Sequence, residues 1–106
     1  MSKEAIQKND QIKTLKKGTV FMMDPNDLHL VMDKKHPLYD KRVEEPPDEW
    51  MARDMMRRGS IEPVILTKED GLVVVVAGRR RVKACRLACE LSPTPVIIKC
   101  LYRSGT

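Results

Sequence analysis

The chain has 106 residues, of which 42% are apolar, and this is enough for one domain with a modest core. Its 20 basic and 15 acidic side chains give a formal net charge of +5, which favours an anionic partner but only moderately. There is no run of 18 apolar residues and no apolar leader, so we expect a cytoplasmic protein without a membrane partner. The three cysteines lack metal-site spacing and are typical of small buried residues in a reducing compartment.

Lysines dominate the first part of the chain, where helical periodicity is weak and no capping residue is found. We predict a flexible basic arm over residues 1–17, ahead of one domain over residues 18–106. Lysine runs of this kind are more often a solvated surface than a binding site.

The first half of the predicted domain is poor in regular structure. Residues 19–22 read as a strand, stopped by a turn at Asp24, after which Leu28, Leu30 and Val31 suggest a short helix. Residues 33–47 hold three prolines and many charges, which indicates an ordered loop with residues 36–40 as its apolar anchor.

The second half has a clearer pattern of strands and helices. Asp48 and Gly59 bound a predicted helix over residues 49–58, with Trp50 and the methionines at 51, 55 and 56 turned inward. Strands follow at residues 63–66 and 72–77, then a helix over residues 79–91 and a last strand over residues 96–102. The inward side of the helix over residues 79–91 would use Val82, Cys85, Leu87, Ala88, Cys89 and Leu91. The fold class is therefore α/β in the α+β sense, a small mixed sheet with packed helices.

A cationic segment opens the second predicted helix, directly after the apolar strand. Gly78 would end the strand, and Arg79, Arg80, Arg81 and Lys83 would follow within the first turns. Cations oppose the helix dipole there, whereas free backbone N–H groups and forked guanidinium groups stabilise a phosphate. The pattern indicates a phosphate-bearing ligand, and the alternative is that the arginines are only solubilising groups. No Walker loop is present, because the lysine-serine pair is missing.

This segment resembles the signature Gly-Glu-Arg-Arg-x-Arg-Ala of the ParB family, whose N-terminal domain shares its fold with sulfiredoxin. The turn from Gly59 to Pro63 is similar to the one that leads into the family's central strands, and the resemblance covers roughly residues 18–102. Two positions depart from the signature, because Arg79 stands for its glutamate and Lys83 for its last arginine.

The resemblance implies binding of a nucleoside triphosphate, CTP or ATP, with Mg²⁺ as the accompanying cofactor. The residues expected on the phosphates are Gly78, Arg79, Arg80, Arg81 and Lys83, and those expected beside the base and ribose are Gly59, Ser60 and Pro63. It also implies work on or near DNA, in partition or in phage or plasmid metabolism, within a bacterial or phage-infected cell. The family's helix-turn-helix reader is not within these residues, so DNA contact would be non-specific or made by other regions, and a homodimer is an open option.

Three alternatives accompany this prediction. A metal-dependent nuclease would need carboxylates such as Asp24, Asp27, Asp40, Glu44, Glu45 and Glu62, with His36 beside Asp40 as a general base, although no pair has diagnostic spacing. A non-enzymatic interaction domain would use the cations to mask a partner's anionic surface. Sulfiredoxin chemistry needs a reactive cysteine in the glycine turn, where Arg79 stands. No catalytic residue and no metal-ligand set is assigned from the sequence.

Overall fold

A mixed sheet of four strands organises the chain. The computed structural model describes residues 20–60 and 62–103. The strands are β1 (Val20–Met23), β2 (Val64–Glu69), β3 (Leu72–Ala77) and β4 (Ile98–Tyr102), in the spatial order β1-β4-β2-β3. β4 is antiparallel to β1 and parallel to β2, and β2 and β3 form an antiparallel hairpin. The predicted fold class, a small mixed sheet with packed helices, is confirmed.

Two helices have the bounds that the sequence predicts. α1 (Glu49–Arg58) begins at Asp48, whose Oδ1 accepts the Met51 N–H at 3.1 Å, and ends at Gly59 in a positive-φ conformation. α2 (Arg79–Leu91) begins after Gly78 and ends at Ser92. Asp48 satisfies an N–H that the first turn of α1 would otherwise leave without a partner.

The core joins the sheet to both helices. Alternate residues of the strands are buried, which places them on one face of the sheet. The buried cluster includes Val64 and Leu66 of β2, Val73 and Val75 of β3, Ile98 and Cys100 of β4, Ala52 and Met55 of α1, and Val82, Ala84, Cys85 and Ala88 of α2. Val74 is buried as well, so the apolar run of β3 is covered on both faces, as its sequence predicts.

The short helix expected near Leu28 is replaced by an extended segment. Asp24 caps a single turn of 3₁₀-helix over Pro25–Asp27, and the chain then runs parallel to β3. The His29 N–H donates to the Val73 carbonyl at 2.8 Å, and the Val75 N–H donates to the His29 carbonyl at 3.0 Å. Burial of Leu28 and Leu30 with His29 exposed has the period of a strand. This segment covers the outer edge of the hairpin.

Several predictions of inward-facing side chains are wrong. Trp50 is 85% exposed, because it lies about 200° around α1 from the buried Ala52. Met56, at the edge of the buried face, and Leu91, in the last turn of α2, are also exposed, whereas Ala84 is fully buried. The loop has an anchor beyond residues 36–40, because Val43, in a 3₁₀ turn over Lys41–Glu44, is buried.

The basic arm predicted for residues 1–17 lies outside the described residues. Within the described ranges, none of the helices combines the length and the apolar character needed to cross a bilayer.

Candidate functional site

The start of α2 requires glycine. Gly78 has φ 98° and ψ 26°, in the left-handed region, and a Cβ placed on it would lie 2.7 Å from Cγ1 of Val64 in β2. Any other residue would therefore be strained and would collide with the neighbouring strand. Gly78 offers no side chain to cap the helix, so the first N–H groups of α2 receive no side-chain cap from it.

A cleft of about 510 Å³ opens at this helix start. Its wall combines the end of β3, the first turn of α2 and part of the loop before α1. The lining residues are Asp40, Arg42, Met51, Val76, Ala77, Gly78, Arg79, Arg80 and Arg81. Four guanidinium groups and the positive end of the helix dipole thus share one concave surface, which is the arrangement that stabilises a bound anion. We call it the α2 cleft.

Two of the α2 arginines donate a hydrogen bond to a carboxylate. Nη2 of Arg80 lies 3.2 Å from Oδ2 of Asp48, and Nη2 of Arg81 lies 2.6 Å from Oε2 of Glu62. Both pairs cross from α2 to the elements beside it and reach solvent. We call Arg80 and Arg81 the carboxylate-paired arginines.

Three other cations form a stripe along α2 at positions i, i+4 and i+7, which is one helix face. They donate to main-chain carbonyls of the segment between β1 and α1: Arg79 to Leu38 at 2.5 Å, Lys83 to Val43 at 2.7 Å and also to Glu45, and Arg86 to Pro25 at 3.1 Å and Leu28 at 2.6 Å. Burial lowers the pKa of the Arg86 guanidinium, and the nearby Asp24 charge opposes this shift. We call Arg79, Lys83 and Arg86 the carbonyl-bound stripe.

The stripe divides the predicted phosphate residues into two groups. The Arg79 side chain is only 11% exposed, and its Nη1 lies 4.0 Å from Asp40. Its Nε is buried and has no hydrogen-bond partner among residues 20–60 and 62–103. Lys83 lines a different cavity, of about 450 Å³, which contains no other predicted site residue. Arg79 and Lys83 therefore hold the loop against α2. Of the predicted phosphate residues, Arg80 and Arg81 are the cations that keep an exchangeable partner.

A second cleft, of about 330 Å³, adjoins the first. It contains Gly59 and Ser60, and it shares Met51 and Arg81 with the α2 cleft. The structure thus brings two of the residues predicted to border a base next to the predicted phosphate residues. Pro63 lines neither cleft. Ser60 also has a structural role, because its Oγ accepts the Lys99 N–H at 3.1 Å.

At least four of the six carboxylates considered for a nuclease have a partner within the protein. Asp24 accepts the Asn26 N–H, Glu44 accepts the Tyr39 hydroxyl, and Glu62 pairs with Arg81. The pKa of Asp40 is lowered, chiefly because its carboxylate accepts the Arg42 N–H. The charges of Arg42, Arg79 and Lys41 lower it further, whereas partial burial acts to raise it. Within residues 20–60 and 62–103, no three His, Cys, Asp or Glu side chains come together as a metal-ligand group.

His36 is occupied at both ring nitrogens. Nε2 lies 2.5 Å from Oε1 of Glu69, and Nδ1 accepts the Leu38 N–H at 3.0 Å. The partner is Glu69 rather than Asp40, which the nuclease hypothesis places beside it. A neutral ring in this position would carry its proton on Nε2, and neither nitrogen is left to act as a base.

None of the three cysteines stands in the glycine turn itself, and two of them are fully buried. Burial raises the pKa of the Cys85 thiol to about 12, and burial likewise raises that of Cys100 to about 12. A thiol of this kind is a poor nucleophile at neutral pH. The side chain that opens α2 is Arg79, so the reactive cysteine of sulfiredoxin chemistry has no counterpart at that position.

Comparison with known proteins supports the fold at low sequence identity. No model of a known protein family matches the sequence, and no curated protein sequence does. Among solved structures, the chromosome-partitioning protein ParB from Caulobacter crescentus, C-terminally truncated and complexed with CTP-γ-S, matches with TM-score 0.56 and 18% identity over 84% of this chain. The same protein complexed to the centromeric parS site matches with TM-score 0.55 and 16% identity over 81% of this chain.

Sulfiredoxin from Arabidopsis thaliana is similar to the same degree, with TM-score 0.54 and 16% identity over 83% of this chain and 88% of its own length. The chain spans 46% and 41% of the two ParB chains, which is less than half of each. The resemblance predicted from the glycine-arginine segment is thus confirmed as a shared fold, that of the ParB N-terminal domain and sulfiredoxin.

Proposed function

We propose that this domain binds a nucleoside triphosphate, CTP or ATP, in the α2 cleft. The phosphates would lie on the first N–H groups of α2 and on Arg80 and Arg81, and Gly78 would allow them to approach the backbone closely. The base and ribose would extend past Met51 toward Gly59 and Ser60 in the adjoining cleft.

One observation carries this proposal: an uncapped helix start and two exchangeable arginines share a concave surface. Gly78 gives no side-chain cap, and both arginines line the cleft while their carboxylate partners reach solvent. A matched ParB structure was obtained with a CTP analogue, and this supports a nucleotide as the first ligand to test.

Mg²⁺ would enter with the nucleotide. Among the described side chains no group of three possible ligands is found, and Mg²⁺ commonly binds through substrate phosphates, waters and one or two carboxylates. Asp40 lines the cleft and is the carboxylate that we expect nearest to such an ion. The ion would neutralise phosphate charge.

The test is thermal unfolding with CTP, ATP or GTP, each with and without Mg²⁺. Ligand at about 100 times its Kd should stabilise the folded protein by about 2.7 kcal/mol. A domain of this size gains roughly 4–8 °C in Tm per kcal/mol, so the expected rise is easily measured. Arg80→Ala should abolish it.

The matched control is Arg57→Ala, which removes the same charge from the exposed face of α1, where Arg57 pairs with Asp54 in the same helix. It should keep the full nucleotide-dependent rise. Equal responses of the two variants, or no response of the unsubstituted protein to any nucleotide, would exclude the proposal.

The setting that we propose is the cytoplasm of a bacterial or phage-infected cell, in DNA partition or a related process. DNA contact would be electrostatic and independent of sequence, and it would weaken steeply with salt. A matched ParB structure contains the parS site, which supports DNA as a partner to test. Gel-shift assays of duplex DNA at rising salt, with and without nucleotide, would measure this contact.

A further inference from the structure

Carboxylates are paired with the arginines of the α2 cleft, and one of them, Asp40, also lines it. Asp48 and Glu62 occupy Arg80 and Arg81, and Asp40 lies 3.8 Å from Arg42 and 4.0 Å from Arg79. The four guanidinium groups that line the cleft and the three carboxylates within 4.0 Å of them together carry a net charge of only +1. The attraction that the cleft exerts on an anion is therefore much smaller than its arginine content suggests.

We propose that Asp48 and Glu62 act as internal competitors that restrict the α2 cleft to polyphosphates. This inference rests on the proposed function and concerns the selectivity of that site. A ligand phosphate must take the place of a carboxylate on each arginine, so it gains only the difference between the two contacts. A monophosphate carries about two negative charges at neutral pH and a triphosphate roughly twice that, so the longer chain can replace both carboxylates at once.

The two competitors differ in mobility. Asp48 is held in place, because its Oδ1 caps α1 at Met51 while its Oδ2 contacts Arg80. Glu62 is 72% exposed and has its ion pair with Arg81 on the solvent side. Glu62 can therefore swing into water when a ligand arrives, whereas Asp48 stays within reach of Arg80. Arg81 is the cation that we expect to be released first.

The competition between a ligand and these carboxylates can be tested with variants that remove the negative charge and keep the size of the side chain. Glu62→Gln and Asp48→Asn remove one competing charge each, and asparagine retains the ability to cap α1. Glu90→Gln is the matched control, because it removes the same charge near the other end of α2. Glu90 is about 16 Å from Arg79 along the helix axis.

Calorimetric titration with CTP, ATP, CMP and inorganic phosphate at one fixed salt concentration gives the readout. The unsubstituted protein should bind a triphosphate at least tenfold more tightly than CMP or phosphate. CMP lacks the charge to replace both carboxylates, so Glu62→Gln gives it an arginine that it does not otherwise reach. A triphosphate gains only the release of an exposed ion pair, which is worth little. CMP should therefore tighten about threefold and more than CTP, and the ratio of CMP Kd to CTP Kd should fall. Asp48→Asn should act in the same direction, and Glu90→Gln should leave the ratio unchanged.

The outcomes separate this inference from the proposed function. If the ratio of CMP Kd to triphosphate Kd were the same in the unsubstituted protein and in all three variants, the inference would be overturned and nucleotide binding would be left intact. Triphosphate binding by every protein, together with CMP binding that becomes measurable only in Glu62→Gln or Asp48→Asn, would support it. No binding by any of the proteins, with urea unfolding showing that each is folded, would overturn both.

Discussion

Two sets of cations share α2, and they differ in what they contact. The carbonyl-bound stripe donates to backbone oxygens of the segment between β1 and α1, while the carboxylate-paired arginines donate to side-chain carboxylates that reach solvent. A backbone carbonyl in a packed loop cannot leave, but an exposed carboxylate can. Side chains with the same charge, in adjacent positions, therefore serve stability in one set and are available to a ligand in the other.

The largest effect expected concerns the inner face of α2, which the stripe keeps against the rest of the protein. Burial raises the pKa of Cys85 to about 12 and also keeps reagents from the thiol, which is fully buried. Both effects act in the same direction, so iodoacetamide should alkylate Cys85 at least about a hundredfold more slowly in the folded protein than in urea, and the rate should rise with pH. Mass spectrometry of the Cys85 peptide measures this, and equal rates in both conditions would show that α2 is not closed.

Arg86→Met should give the largest loss of stability in either set. The change removes the guanidinium donor from the Leu28 carbonyl and from the Pro25 carbonyl, which keeps only the Leu28 N–H at 3.4 Å. Charged hydrogen bonds of this kind are worth about 1.5–3 kcal/mol each. We expect the free energy of unfolding to fall by about 3 kcal/mol, measured in urea. A loss below about 0.5 kcal/mol would remove the distinction between the stripe and an ordinary surface.

Lys83→Met should lower the free energy of unfolding by about 2 kcal/mol. Lys83 also donates to two carbonyls, but that of Glu45 is on the exposed side. Methionine retains the apolar stem, so the loss reports the hydrogen bonds. A urea titration of Lys83→Met beside Lys34→Met, which changes an exposed loop lysine, gives the comparison.

Arg81→Ala should change stability least, by about 0.5 kcal/mol or less, because its pair with Glu62 is largely exposed. Nucleotide binding should nevertheless fall sharply in this variant, since the phosphates lose one of two exchangeable cations. Urea unfolding and nucleotide titration of the same sample separate the two effects. A stability loss comparable to that of Arg86→Met would place Arg81 with the stripe instead.

The elements were predictable where local signals agree with tertiary packing. Asp48 and Gly59 bound α1 and Gly78 precedes α2 as predicted, because capping and positive-φ residues act within a few positions along the chain. Trp50 was predicted inward on hydrophobicity alone. Its exposure depends on which face of α1 meets α2, and small residues, Ala52 and Ala84, are buried there instead.

The site was predictable only in part, since sequence gives charge but not the partner. The cationic run opening α2 was evident, and it does line a cleft. The roles of Arg79 and Lys83 depend on carbonyls about 40 positions away along the chain. The i, i+4, i+7 spacing of Arg79, Lys83 and Arg86 was the available signal, because it places them on one helix face apart from Arg80 and Arg81.

The position of β4 has a consequence for the order in which this chain folds. Of the four strands in the described residues, β4 is synthesised last, yet it lies between β1 and β2 and is the strand with which β1 pairs. On the ribosome, the β2–β3 hairpin and α2 can form from local contacts, while β1 must wait some 75 residues for its partner. Closure of the sheet is thus a late, long-range event, and a nascent chain stalled before Ile98 would expose two unpaired strand edges to aggregation.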